Sequence, residues 1–204
     1  MHIGIIIFGI IVNCIVNCFQ LNAKKIKRKD ICVIQLLQII GLTIGSKLLD
    51  LIMNFNEYID RSFEININVG FMFYGGMVLA MLLVAIYAKI KKIENVSLTV
   101  FNNIVILYAI WKLGCFVSGC CSGISQFPLQ PVETISCLAI YVGSSLIKKR
   151  EYILTLFGVE RFASIILRDQ MEIDDLIVNM LITSCLIVIT LAINIRQKKI
   201  KSKN

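Results

Sequence analysis

The chain has 204 residues, of which 57% are apolar and 17% charged, with two prolines and a net charge of +8. That composition is too apolar for an ordinary water-soluble domain of this size. At about 20 residues per membrane span, spans consume most of the length, which leaves one polytopic membrane domain over residues 1–204 and no large soluble appendage. The positive charge does not point to nucleic acid, because 16 of the 21 basic residues sit in four clusters, each at the end of an apolar run.

In chain order, the first apolar run covers residues 3–19. It has no basic leader and no small-residue cleavage pattern, so it is expected to remain as a span. Lys24, Lys25, Lys27, Arg28 and Lys29 follow, then a run at 31–53 and the polar loop NFNEYIDRSFEININ. A third run at 69–88 ends on Lys89, Lys91 and Lys92. Runs at 98–118 and 129–147 precede Lys148, Lys149 and Arg150. The shortest run, 152–167, leads into RDQMEIDD, and the last, 176–195, into the basic tail 196–204. Seven spans result. Alternating them puts every basic cluster on one side, as the positive-inside rule requires, with the amino terminus outside and the carboxyl terminus in the cytoplasm. The tail reads as a cytoplasmic anchor facing anionic lipid.

The expected fold is therefore all-α, an integral membrane protein of about seven transmembrane helices around a lipid-accessible polar cavity. Ionisable residues inside spans are costly, roughly 2.5–3.5 kcal/mol each on insertion scales, and six stand out: Lys47, Asp50, Lys112, Glu133, Glu160 and Arg161. Lys47 and Asp50 are three apart and share a helix face, where they can neutralise each other. Glu160 and Arg161 are adjacent and point to different faces, so Arg161 needs another partner. Phe157, Arg161, Ile165 and Arg168 recur at helical spacing; two guanidiniums on one face suit a phosphate-bearing ligand, although Arg168 also fits a residue that marks the water interface. GLTIGSK and GCCSG each carry glycines four apart, a spacing that predicts close helix packing. The glycine pair after Tyr74 could instead break a helix and let backbone line a cavity. The eight cysteines lie in or beside apolar runs and read as small hydrophobes, not as a disulfide framework. Cys115, Cys120 and Cys121 lack the fourth ligand and spacing of a structural metal site, so no metal is expected.

These segments together resemble the prolipoprotein diacylglyceryl transferase family, as a divergent, short member. Phe8-Gly9 of IIIFGII is similar to the family's aromatic-glycine pair in the first span. GSKL resembles its Gly-x-Arg-Leu, with Lys47 in the arginine position. FYGG resembles its His-Gly-Gly, with Tyr74 in the histidine position beside Gly75 and Gly76. WKLGCF, followed by Gly119 and Gly123, resembles its Gly-Arg-x-Gly-(Asn/Cys)-Phe signature with Lys112 in the arginine position. PLQPVE supplies Gln130 and Glu133 for Pro-x-Gln-x-x-Glu, and FGVERF with LRD supplies Arg161 and Arg168 for Tyr-x-x-x-Arg-Phe and a later arginine. Phe8 and Phe157 stand where the family commonly has tyrosines, and Ile165 where it has an acid.

The resemblance implies transfer of diacylglyceryl from phosphatidylglycerol, or a related anionic lipid, to a cysteine thiol in the lipobox of a preprotein, in the bacterial cytoplasmic membrane. It implies no cofactor and no nucleic-acid partner. Arg161 and Lys112 would meet the phosphate, supported by Lys47 and Arg168. Gln130 and Glu133 would orient headgroup or substrate, with Gly75, Gly76 and Gly123 in the cavity wall. Tyr74 would transfer or orient the proton. Two other readings use the same cations: a non-catalytic or altered-substrate paralogue that binds an anionic lipid, and a small anion transporter.

Overall fold

The computed structural model describes residues 2–60, 72–93, 96–119, 123–124, 127–147 and 150–168, and beyond these positions 177, 180–181, 183–185 and 187–188. The described residues form seven α-helices and no named strand. They are α1 (His2–Ala23), α2 (Arg28–Met53), α3 (Phe55–Asp60), α4 (Phe73–Ile90), α5 (Val96–Val117), α6 (Leu129–Leu146) and α7 (Ile153–Ile166), with a 3-10 turn at Arg150–Tyr152. Four helices, α1, α2, α4 and α5, are long and apolar enough to cross a membrane. Six of the seven expected runs are helical to within a few residues of their expected ends. The seventh, 176–195, and the tail 196–204 lie largely outside the described residues. The loop at 54–68 begins with α3, six residues that the sequence pattern does not signal.

The chain divides into two compact units, one of residues 16–100 and one of residues 1–15 with 101–204. In the first, α2 packs along α4 with a buried stripe of Ile31, Ile34, Gln38, Gly41, Leu42, Gly45, Ser46 and Asp50. The stripe repeats at three- and four-residue steps, so it is one helix face. Glycines make the approach possible. A Cβ on Gly41 would overlap the Ala80 backbone, one on Gly45 the Gly75 carbonyl, one on Gly75 the Gly45 carbonyl and one on Gly76 the Ser46 hydroxyl. The GLTIGSK spacing thus marks close packing, as expected. The pair Gly75-Gly76 does not break its helix: α4 begins at Phe73 and runs through both. Asn17 Nδ2 donates to Gln38 Oε1 at 2.8 Å, an amide contact between α1 and α2 of the kind that holds membrane helices together.

In the second unit, α5 is enclosed along most of its length, with an unbroken buried run from Asn102 to Ala109. Gly9 of α1 faces Leu107 and Ile110 of α5, and an added Cβ would stand 3.1 Å from both. Asn103 ties three helices: its carbonyl accepts from Asn13 Nδ2 at 2.7 Å, and its side-chain oxygen accepts from Tyr141 Oη at 2.7 Å. Asn102 Nδ2 donates to the Arg150 carbonyl at 2.9 Å. Helix α7 buries Phe157, Arg161 and Ile165, the face expected from their spacing. Gly119 corrects the other glycine expectation. Among the described residues nothing lies within 4 Å of an added Cβ there, and its φ is +67°, so it turns the chain after α5.

Candidate active site

Three cations converge on one carboxylate in the second unit. Glu133, in the first turns of α6, has no exposed surface. Lys112 near the end of α5 places Nζ 2.7 Å from its Oε2. Arg161 of α7 donates through Nη1 to Oε1, and Arg168 just beyond α7 brings Nη2 to 3.5 Å from the same oxygen. Each partner comes from a helix whose local sequence points it inward: Lys112 lies four residues after the buried Tyr108, Glu133 four before the buried Cys137, and Arg161 between buried Phe157 and Ile165. Arg161 is 1% exposed and Lys112 5%.

Among the described residues, one carboxylate is within ion-pair distance of three cations, so these charges do not cancel, and like charges repel strongly where little water screens them. Tyr108 relieves part of this. Its ring lies 4.7 Å from the Arg161 guanidinium and 5.4 Å from Lys112 Nζ, so the negative face of one aromatic serves two cations. Phe157 holds the ring edge-on at 5.2 Å, and the Tyr108 hydroxyl reaches Glu133 Oε1 at 3.4 Å. Arg161 Nη1 also donates to Ser164 Oγ at 2.6 Å. Arg168 Nε is buried with no hydrogen-bond partner among the described residues. Glu160 reaches the next turn of α6, where its carboxylate accepts from the Ser136 hydroxyl at 3.4 Å and the Cys137 thiol at 3.6 Å.

Gln130 is buried one turn before Glu133, and Thr134 ties the same turn to α5 by donating to the Ala109 carbonyl at 3.1 Å. Gly123 forms an antiparallel bridge with Arg168, with Ile124 N donating to the Leu167 carbonyl at 3.1 Å. A Cβ there would press at 3.1 Å on the carbonyls of Phe127 and Leu167, so glycine lets this segment lie against the end of α7. Five of the expected residues, Lys112, Glu133, Arg161, Arg168 and, through its bridge, Gly123, are therefore assembled together. Cys115 is buried; Cys120 and Cys121 lie outside the described residues.

The other expected residues belong to the first unit. Lys47 Nζ lies 3.8 Å from Asp50 Oδ2, the neutralising pair that their spacing allows. Asp50 also accepts from Tyr58 Oη at 2.6 Å and Asn54 Nδ2 at 2.9 Å, so it fastens α3 to α2. Tyr74 is buried, edge-on to Phe73 at 6.4 Å, and Gly75 and Gly76 are engaged in the α2–α4 contact. Sequence reasoning missed Tyr108. The signal was available, since a tyrosine four residues before an intramembrane lysine shares its helix face.

A chain whose described residues are helical, with four membrane-length helices and, in one of its units, a buried cation-rich centre, is a multi-pass membrane protein. The family model described as prolipoprotein diacylglyceryl transferase matches residues 4–196, and the chain belongs to that family. The family's members are transferases of lipoprotein biosynthesis, embedded in the membrane. No curated protein matches the chain.

Proposed function

We propose that the chain transfers diacylglyceryl from phosphatidylglycerol to the cysteine thiol of a lipobox-bearing preprotein at the bacterial cytoplasmic membrane. The observation that carries this reading is the excess of three cations over one buried carboxylate at Glu133. An anionic phosphate entering beside them supplies the missing negative charge. As the thiolate sulfur bonds to the glyceryl carbon, the carbon–oxygen bond to phosphate breaks and charge gathers on the departing glycerol phosphate. Arg161, Lys112 and Arg168 stabilise that charge, Arg161 and Arg168 by planar donors and Lys112 as a compact point charge. Glu133 fixes the cations in place, and Gln130 and Gly123 shape the approach. By the family resemblance Tyr74 moves or orients the thiol proton, Lys47 supports the phosphate, and Gly75 and Gly76 line the wall.

In this reading seven spans form one polytopic domain around a lipid-accessible polar cavity, with the amino terminus outside and the carboxyl terminus in the cytoplasm. The test is transfer of radiolabel from phosphatidylglycerol to a lipobox peptide by the purified protein. The label should appear on the peptide cysteine and fall by roughly 100- to 1,000-fold with Arg161→Lys, which keeps the charge but loses the fork. Label that survives this change at full rate, or that stays absent while lipid binds tightly, overturns the reading. The second outcome favours a lipid-binding paralogue, an alternative supported by Tyr74 and Lys112 in the histidine and arginine positions of the resemblance.

A further inference from the structure

Helices α1 and α4 end in the same way, a feature that the proposed transfer does not use. The sequence around the first end is AKKI, Ala23 to Ile26, and around the second IKKI, Ile90 to Ile93. In each, the second lysine adopts the left-handed conformation, with φ 58° at Lys25 and 52° at Lys92. The isoleucine amide then returns to the last helical turn: Ile26 N to the Leu21 carbonyl at 3.3 Å, and Ile93 N to the Ala88 carbonyl at 2.9 Å. The lysine amides close the inner bonds, Lys25 N to the Asn22 carbonyl at 2.9 Å and Lys92 N to the Lys89 carbonyl at 3.2 Å. This is the Schellman helix ending, whose left-handed position glycine normally fills because a Cβ is strained there. Lysine occupies it twice.

Attraction between lysine and a helix carboxyl end does not require this choice, since Lys24 and Lys91 already stand at each end. The two endings share a purpose in space. Lys24, Lys25, Lys27, Lys29, Lys91 and Lys92 line a single recess of about 720 Å³ within the first unit. Its frame is fixed: Tyr87 Oη donates to Asp30 Oδ1 at 2.8 Å, and Lys24 is held by the Thr99 hydroxyl. Among the described residues, Asp30 is the one carboxylate in a lining that holds six lysines. Val33 continues the lining toward the exposed apolar surface of α2, where Leu36 and Ile40 follow at helical spacing.

We infer that this recess binds the headgroup of an anionic phospholipid, with the phosphate among the lysines of the two helix endings and an acyl chain along Val33, Leu36 and Ile40. The site is separate from Glu133 and its cations in sequence and composition, and it does not depend on the proposed transfer. Ammonium groups suit a phosphate that is free to rotate, because they act as point charges. The left-handed backbone places Lys25 and Lys92 at the turns, and the amides of the isoleucines that follow close each turn.

Native mass spectrometry of the full chain, released from micelles with phosphatidylglycerol or phosphatidylcholine, tests this. The triple variant Lys25→Gln, Lys91→Gln, Lys92→Gln should weaken one class of phosphatidylglycerol binding on the order of 100-fold, at about fivefold per lysine near an anionic surface. The variant should leave transfer activity at Glu133 intact, and phosphatidylcholine should not occupy the site. Lys25→Gly with Lys92→Gly, which relaxes the backbone, controls for folding and should weaken binding in the same direction. Unchanged phosphatidylglycerol binding in the triple variant overturns the inference, as does equal retention of phosphatidylcholine. Inorganic phosphate that displaces the lipid at millimolar concentration would show a free-phosphate site instead and would equally overturn it.

Discussion

Glu133 holds together what its three cations would otherwise force apart. Changing it to glutamine keeps the shape and removes the charge, leaving Lys112, Arg161 and Arg168 facing one another in a buried setting. Breaking a buried ion pair in this way costs about 3–5 kcal/mol. We expect Glu133→Gln to lower the denaturation midpoint in phosphatidylcholine micelles and to recover part of that loss in phosphatidylglycerol, whose phosphate replaces the missing charge. An equal loss in both lipids would show that no anion reaches these residues. The ionisable members of this cluster were legible in the sequence because a charge inside an apolar run stands out. The contacts of Asn13, Asn102 and Asn103 elsewhere in the same unit were not, since neutral polar side chains are affordable inside helices and their partners, 90 residues apart for Asn13 and Asn103, belong to no local pattern.

Helix positions follow from apolar runs about as long as the membrane is thick, and this much the sequence showed within a few residues at each end. What it did not distinguish was the work of equal glycine spacings. Gly41 and Gly45 lie where α4 crosses, whereas Gly119 makes a turn, and spacing alone is the same for both pairs. The two roles differ in their cost on substitution. Gly45→Val drives its side chain into the Gly75 carbonyl and Leu79 and should destabilise by about 1–3 kcal/mol or more through overpacking. Gly143→Ala in α6, where none of the described residues lies within 4 Å of the new Cβ, should be neutral or stabilise by up to about 1 kcal/mol. Unfolding midpoints in a graded denaturing detergent will separate them, and equal effects would mean that the α2–α4 approach is looser than described. The short α3 escaped notice because six residues are held by the tertiary bonds of Asp50 and not by any run of their own.

At the scale of the whole molecule, the basic clusters set a constraint that the helices must satisfy. The clusters at 148–150 and 196–203 can share the cytoplasmic side only if the chain crosses twice between them, by α7 and again after the acidic stretch RDQMEIDD. Helix α7 has 14 residues, which span about 21 Å at 1.5 Å each, short of a hydrocarbon core of about 30 Å. It crosses only if the bilayer thins beside it or the ends of α7 sit below the headgroups, and its buried Arg161, paired with Glu133, favours such a sunken polar centre. A secreted phosphatase, active only outside the cytoplasm, joined after Asp175 should therefore be active in cells. The same reporter joined after Arg150 or after Lys203 should be silent. Activity after Lys203 with silence after Asp175 would mean that α7 lies along the membrane and turns back, which would leave six crossings and place the carboxyl tail with the external loops.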